Sequence, residues 1–89
     1  MTVNFSAKAL KQLKKLDSEI QSRIVDSMKS VSQLANPRSR GKLLVGNLSG
    51  LWRYRVGNYR ILCQIQNEEL VILVVEIGHR KEIYNRPVR

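Results

Sequence analysis

The chemistry of this chain is concentrated in residues 52–61, WRYRVGNYRI. Trp52, Tyr54 and Val56 alternate with Arg53 and Arg55. A strand has a period of two, so both arginines leave the same face. Gly57-Asn58 reads as the two-residue loop of a tight hairpin, which pairs Val56 with Tyr59 and Arg55 with Arg60. Arg53 then lies one diagonal away. Like charges directly opposite on a sheet repel. Two permanent cations kept side by side suggest that an anion belongs there, and guanidinium matches phosphate in shape and charge.

The end of the chain supplies the rest. With Asn67-Glu68 as a second two-residue turn, Ile65 pairs with Leu70 and Arg60 with Val75. The following strand then runs back toward the Gly57-Asn58 end. That register sets Gly78, His79 and Arg80 near Arg55 and Arg60, with Tyr84 following within reach of the same patch. A slip of one residue in either turn would undo it. Arg53, Arg55, Arg60, His79, Arg80 and Tyr84 suit cleavage of RNA by its own 2′-hydroxyl. The hydroxyl attacks the adjacent phosphate, so the protein need not supply a nucleophile. It must stabilise charge on the phosphorane, help remove one proton and give one to the 5′-oxygen. Arginines meet the first need, and His79 or Tyr84 could meet the others. DNA lacks the 2′-hydroxyl and does not react by this route.

Blander readings compete with this one. Arg53 and Arg55 also fit the solvated face of an edge hairpin, and His79 a structural strand end. Lys8, Lys11 and Lys15 read first as a solvated helix face, with long-range attraction to RNA as a second role. Trp52 and Tyr54 lie opposite the arginine face and read as core. Cys63, on the face of Tyr59, Ile61 and Ile65, reads as a buried thiol. Tyr84 stands in a polar tail, where base stacking suits it better than burial. One His and one Cys cannot make a zinc set, and the 7 acids form no obvious pair for a two-metal nuclease or a glycosidase. No metal and no cofactor is expected.

A chain of 89 residues allows one small domain, 1–89, with no room for a second core. Lysine and arginine number 16 against 7 acids, and the net charge of +9 implies a polyanionic partner. No apolar run is long enough to cross a bilayer, no signal peptide is visible, and the single cysteine fits a reducing cytoplasm. Residues 3–5 read as a first strand. Ser6 caps a helix over 7–16 carrying Ala9, Leu13 and Leu16 on one stripe. A second helix starts at Asp17 or Ser18, where Ser18 and Gln21 fit a capping box, and Asn36-Pro37 ends it. Its stripe is Ile20, Ile24, Met28, Val31 and Leu34. Residues 37–50 read as a basic loop whose Leu43, Leu44, Val45 and Leu48 tuck back on the core. Strands follow over 51–56, 59–66 and 69–77, the last apolar on both faces and therefore central. The order β-α-α-β-β-β predicts an α+β fold, an antiparallel sheet with a helical hairpin packed on one face.

At these residues the chain resembles the RelE toxins of bacterial and archaeal toxin–antitoxin pairs. The resemblance runs through FSAKALKQL at residues 5–13, LSGLWRYRVGNYRI at 48–61 and IGHRKEIY at 77–84. It implies an mRNA endoribonuclease that acts on mRNA in the ribosomal A site, with ribosomal RNA as a binding partner, without metal and in the cytoplasm. It implies a cognate acidic, RelB-like antitoxin, through which operator DNA is met only indirectly. By position, Arg53 and Arg55 match two basic residues that contact mRNA and assist activation of the 2′-hydroxyl. Arg60 matches the arginine at the scissile phosphate. Arg80 matches an arginine of transition-state stabilisation or leaving-group protonation, and Tyr84 a tyrosine that stacks on a base. One departure is chemical: the best-known members carry lysine where Arg53 and Arg55 stand, and arginine stays protonated. Proton removal is then left to His79, Tyr84, an RNA group or water. The fold is shared with ParE-type inhibitors of DNA gyrase, which have no nuclease site, so a gyrase inhibitor and a non-catalytic RNA-binding protein are the competing functions.

Overall fold

The computed structural model describes residues 1–83. Its elements are β1 (Thr2–Phe5), α1 (Ala7–Lys14), α2 (Ser18–Ser32), β2 (Lys42–Leu43), β3 (Trp52–Val56), β4 (Tyr59–Gln66) and β5 (Val71–His79), with 3₁₀ turns at Pro37–Arg40 and Gly46–Leu48. The sheet order is β1-β5-β4-β3-β2. The α+β class and the helical hairpin are those expected. The sheet is mixed, not wholly antiparallel, because β1 pairs parallel with β5 while the other pairs are antiparallel. After β1 the chain runs through both helices to the far edge and returns as a meander, so its last strand arrives beside its first. β5 has neighbours on both edges, in keeping with its apolar run.

Both helices pack on one face of the sheet. Ala9 and Leu13 of α1 and Ile24, Met28 and Val31 of α2 meet Tyr54, Val56, Ile61, Cys63, Ile72, Val74 and Ile77 in one buried cluster. Each such aliphatic side chain contributes about 1.5–3 kcal/mol of burial. A smaller cluster on the opposite face joins Leu48, Leu51, Leu62 and Ile83. Leu48 is buried as expected, but Leu43 and Val45 stay 50% and 82% exposed. Neither lies over that cluster, since β2 occupies the edge of the sheet.

Local chemistry sets the helix starts. The Ser6 side chain accepts from the Ala9 N–H at 3.1 Å and caps α1. At α2 the cap position is Asp17, and the expected capping box is absent: Gln21 Nε2 donates instead to the Leu16 carbonyl at 2.7 Å. β1 ends opposite Val74, so the edge of β5 beyond it lacks a strand partner. Side chains of α1 take over there. Gln12 Oε1 accepts from the Ile77 N–H at 2.8 Å, Gln12 Nε2 donates to Glu76 Oε1 at 2.7 Å, and Lys8 Nζ lies 2.8 Å from Glu76 Oε2. The helix thereby satisfies a stretch of strand edge that would otherwise be bare.

The turns decide the register. Gly57 has φ +58, so a left-handed residue opens the β3–β4 loop, and Val56 pairs with Tyr59 and Arg55 with Arg60 as expected. The β4–β5 loop is longer than the two residues expected: Gln66 pairs with Val71, and Leu70 adopts φ +55. A bulge between Leu62 and Cys63 adds a further shift. Arg60 therefore faces Gly78 and not Val75.

Candidate nucleic-acid interface

The face of the sheet away from the helices carries the cations. Directly opposed residues share a face, so the ladder builds two rows. One runs Lys42, Arg53, Leu62; the other runs Arg55, Arg60, Gly78. Neighbours across strands lie about 5 Å apart and residues two apart along a strand about 6.7 Å. Lys42, Arg53, Arg55 and Arg60 thus form a compact cationic patch. From the sequence Lys42 reads only as one of the basic residues of the 37–50 loop, with Arg38 and Arg40. Two residues of β2 carry no periodicity, and the region read as loop.

Lys42 is positioned from behind. Tyr54 is buried on the helix side, and its hydroxyl donates to the Pro37 carbonyl at 2.9 Å. A Cβ at Gly41 would lie 3.0 Å from the Tyr54 ring, so any larger residue there would press on the phenol. Burial holds the Tyr54 phenol protonated, with its pKa pushed up to about 12. Burial likewise pushes the Cys63 thiol upward, consistent with an inert core cysteine.

The hairpin tip gathers the remaining groups. Arg60 Nη1 donates to the carbonyls of Gly57 at 3.1 Å and Tyr59 at 3.0 Å, which fixes the guanidinium against the turn. The Arg80 N–H donates to the Asn58 carbonyl at 2.8 Å, so Arg80 starts beside that same turn. Arg55 and Arg80 are exposed. Among the described residues no carboxylate forms an ion pair with Arg55, Arg60 or Arg80.

Other candidates fall elsewhere. His79 pairs with Tyr59, and its ring meets the Tyr59 ring edge-on at 5.8 Å. Tyr59 packs toward the helix-side core, so His79 lies across the sheet from the arginine patch, and its Nδ1 accepts from the Lys81 N–H at 3.2 Å. The expectation that His79 joins the arginines is corrected by this one-residue alternation. Lys8, Lys11 and Lys15 belong to α1 and its C-terminal cap, on the helical layer, and Lys8 is engaged with Glu76. Tyr84 lies outside the described residues. At the far end of the sheet Arg38 stacks 5.7 Å from the Trp52 ring centroid and donates from Nη2 to Asn67 Oδ1 at 2.7 Å. Among the described residues no group of three His, Cys, Asp or Glu side chains gathers to hold a metal ion.

Residues 3–84 match the family model described as the ParE toxin of type II toxin–antitoxin systems. Toxin RelG of Mycobacterium tuberculosis is 33% identical over 86 residues, covering 96% of this chain and 97% of RelG. The mRNA interferase toxin RelE of Escherichia coli is 28% identical over 91 residues, covering 98% of this chain and 93% of RelE. Among solved structures, the RelBE2 toxin–antitoxin complex of M. tuberculosis superposes with a TM-score of 0.79 at 31% identity, covering 89% of this chain and 96% of that one. A free-state mutant of E. coli RelE gives 0.72 at 26% identity, covering 98% and 93%.

Proposed function

The chain belongs to the ParE toxin family, as a RelE-type toxin of a type II toxin–antitoxin system, and from that premise we propose that it is a metal-independent, ribosome-dependent mRNA endoribonuclease that arrests translation in the cytoplasm. The observation that carries the reading is the ladder that sets Arg55 beside Arg60, with Arg53 and Lys42 in the next row and Arg80 starting at the hairpin tip. The substrate's 2′-hydroxyl attacks its own 3′-phosphate, and the bond to the 5′-oxygen breaks. Arg60, already oriented by two carbonyls, binds the scissile phosphate. Arg53, Arg55 and Lys42 hold the flanking backbone. Arg80 neutralises charge as the leaving oxygen departs. Tyr84 stacks on a base. Proton removal falls to Tyr84, water or an RNA group, because the arginines stay charged and His79 faces the other side. An acidic RelB-like antitoxin covers the patch and silences it; operator DNA is reached only through that complex.

Primer extension on translated mRNA after toxin expression tests the reading. Cuts within the A-site codon are expected, lost in Arg60→Ala and Tyr84→Ala. The family model's ParE name favours one alternative, inhibition of gyrase. Trapped gyrase–DNA complexes with ribosome-bound mRNA left whole would establish it and refute the nuclease.

A further inference from the structure

The arginine patch does not end at the sheet. Two guanidinium groups converge on Gly57. Arg60 Nη1 donates to its carbonyl at 3.1 Å, and Arg23 of α2 brings Nη2 to 3.6 Å from the position a Cβ would occupy there. Arg60 belongs to the helix-free face. Arg23 comes from the helical layer and is exposed, with no carboxylate partner among the described residues. Between α2 and the turn lies a cavity of about 100 Å³ lined by Ile20, Arg23, Val56, Gly57, Asn58 and Tyr59. Its walls are aliphatic and aromatic, with the Asn58 amide and the Arg23 guanidinium as polar groups.

Size and chemistry narrow the occupant. Full ligand pockets run to about 300–1,000 Å³, so this one admits a single planar ring and not a whole nucleotide. Apolar walls with an aromatic ring and a cation suit the face of a nucleobase. The phosphate of the same nucleotide would stay outside, on Arg23. Only the two-residue turn separates this cavity from Arg60. A like-charged pair flanking one glycine is stabilised by an anion between them.

We propose that the Gly57-Asn58 tip is a saddle over which the RNA strand passes. The scissile phosphate sits on Arg60, an adjoining phosphate on Arg23, and the attached base inserts into the cavity beside Tyr59. This rests on the nuclease reading and adds a nucleotide subsite to it.

The test is single-turnover cleavage of mRNA on programmed ribosomes, with an abasic nucleotide placed in turn at each position around the cut. At one position beside the cut, the abasic message should raise the wild-type toxin's half-saturating concentration about tenfold. Arg23→Gln should raise it about tenfold on the intact message, and the abasic message should then cost that variant less than twofold more. Arg23→Lys, which keeps the charge, should recover part of the loss. Circular dichroism melts should agree between the variants and wild type, since Arg23 is exposed. If wild type cuts mRNA but no abasic position affects it, or Arg23→Gln behaves as wild type, the subsite is refuted and the nuclease stands. Additive losses place Arg23 on some other partner and refute it too. A wild type that cuts no mRNA removes both.

Discussion

The guanidinium of Arg60 turns back on the Gly57 carbonyl at 3.1 Å while its strand position faces Arg55. The contact uses Nη1 and leaves Nε and Nη2 without a partner among the described residues. A guanidinium held this way is oriented before substrate arrives, and it loses little side-chain freedom on binding. Arg60→Ala should lower the rate of mRNA cleavage on ribosomes at least about 100-fold. Arg60→Lys should recover little of it, because lysine presents a point charge without the planar fork. Equal rates for wild type and Arg60→Lys would show that orientation is not what Arg60 supplies.

Lys42 stands opposite Arg53 at the exposed edge of the patch. Lys42→Gln should weaken substrate binding about threefold to tenfold, as loss of one exposed phosphate contact does. Thermal stability should stay within about 0.5 kcal/mol of wild type. An unchanged half-saturating concentration in the ribosome cleavage assay would exclude Lys42 from the interface.

Glu76 is fully buried, whereas Lys8 is half exposed. The pair should therefore break asymmetrically. Lys8→Met removes the countercharge of a buried carboxylate that Gln12 still hydrogen-bonds, and should cost about 2–3 kcal/mol. Glu76→Gln frees Lys8 to turn toward water and can keep the Gln12 hydrogen bond, at a cost of about 1 kcal/mol. Urea titration of the two variants checks the order, and a reversed order would contradict it.

Tyr54 keeps its proton because burial disfavours the phenolate, its pKa being pushed up to about 12. A tyrosine in the unfolded chain ionises near about 10. Between those values the unfolded chain binds fewer protons than the folded one. Tyr54's contribution is thus complete below about pH 10 and is lost as pH rises toward about 12. Tyr54→Phe removes the hydrogen bond to Pro37, should cost about 1 kcal/mol at neutral pH, and should fall less steeply than wild type in alkali. Parallel alkaline melts would rule this out.

Leu70 closes the β4–β5 loop at φ +55 with 63% of its surface exposed. A branched side chain pays about 1–2 kcal/mol for the left-handed conformation and gains little burial in return. Leu70→Gly should raise stability by about 0.5–1 kcal/mol once the greater freedom of glycine in the unfolded chain is offset. A drop in the melting temperature would mean that Leu70 is held by packing.

Much of this was readable from residue types alone. The alternation from Trp52 to Val56 set the arginine face, and Gly57-Asn58 set the Arg55–Arg60 pair, because a two-residue hairpin admits one register. The expected Arg60–Val75 pair failed for two local reasons. Asn67-Glu68 resembles a tight turn but opens a longer loop ending at Leu70, and the bulge at Leu62/Cys63 leaves no mark in an apolar run. The longer loop and the bulge set Gly78 opposite Arg60 and start Arg80 beside the hairpin tip, three residues along β4 from where the tight turn would have put them. Lys42 reads only as a basic loop residue and Arg23 as an ordinary helix residue, because they reach the patch through long-range pairing and packing, which periodicity does not encode.

The parallel pairing of the first strand with the last gives the molecule an order of assembly. Residues 71–79 supply the partner of β1, the partner of β4 and the surface under α1. All of these are the last of the described strands to be synthesised. Until they exist, Arg53, Arg55 and Arg60 sit on a hairpin with no sheet to join, and an isolated hairpin is marginal in water. A chain stopped anywhere before residue 71 is therefore not a toxin missing its tail but a polypeptide without a centre, and a proteolytic nick in β5 disarms the whole fold at once.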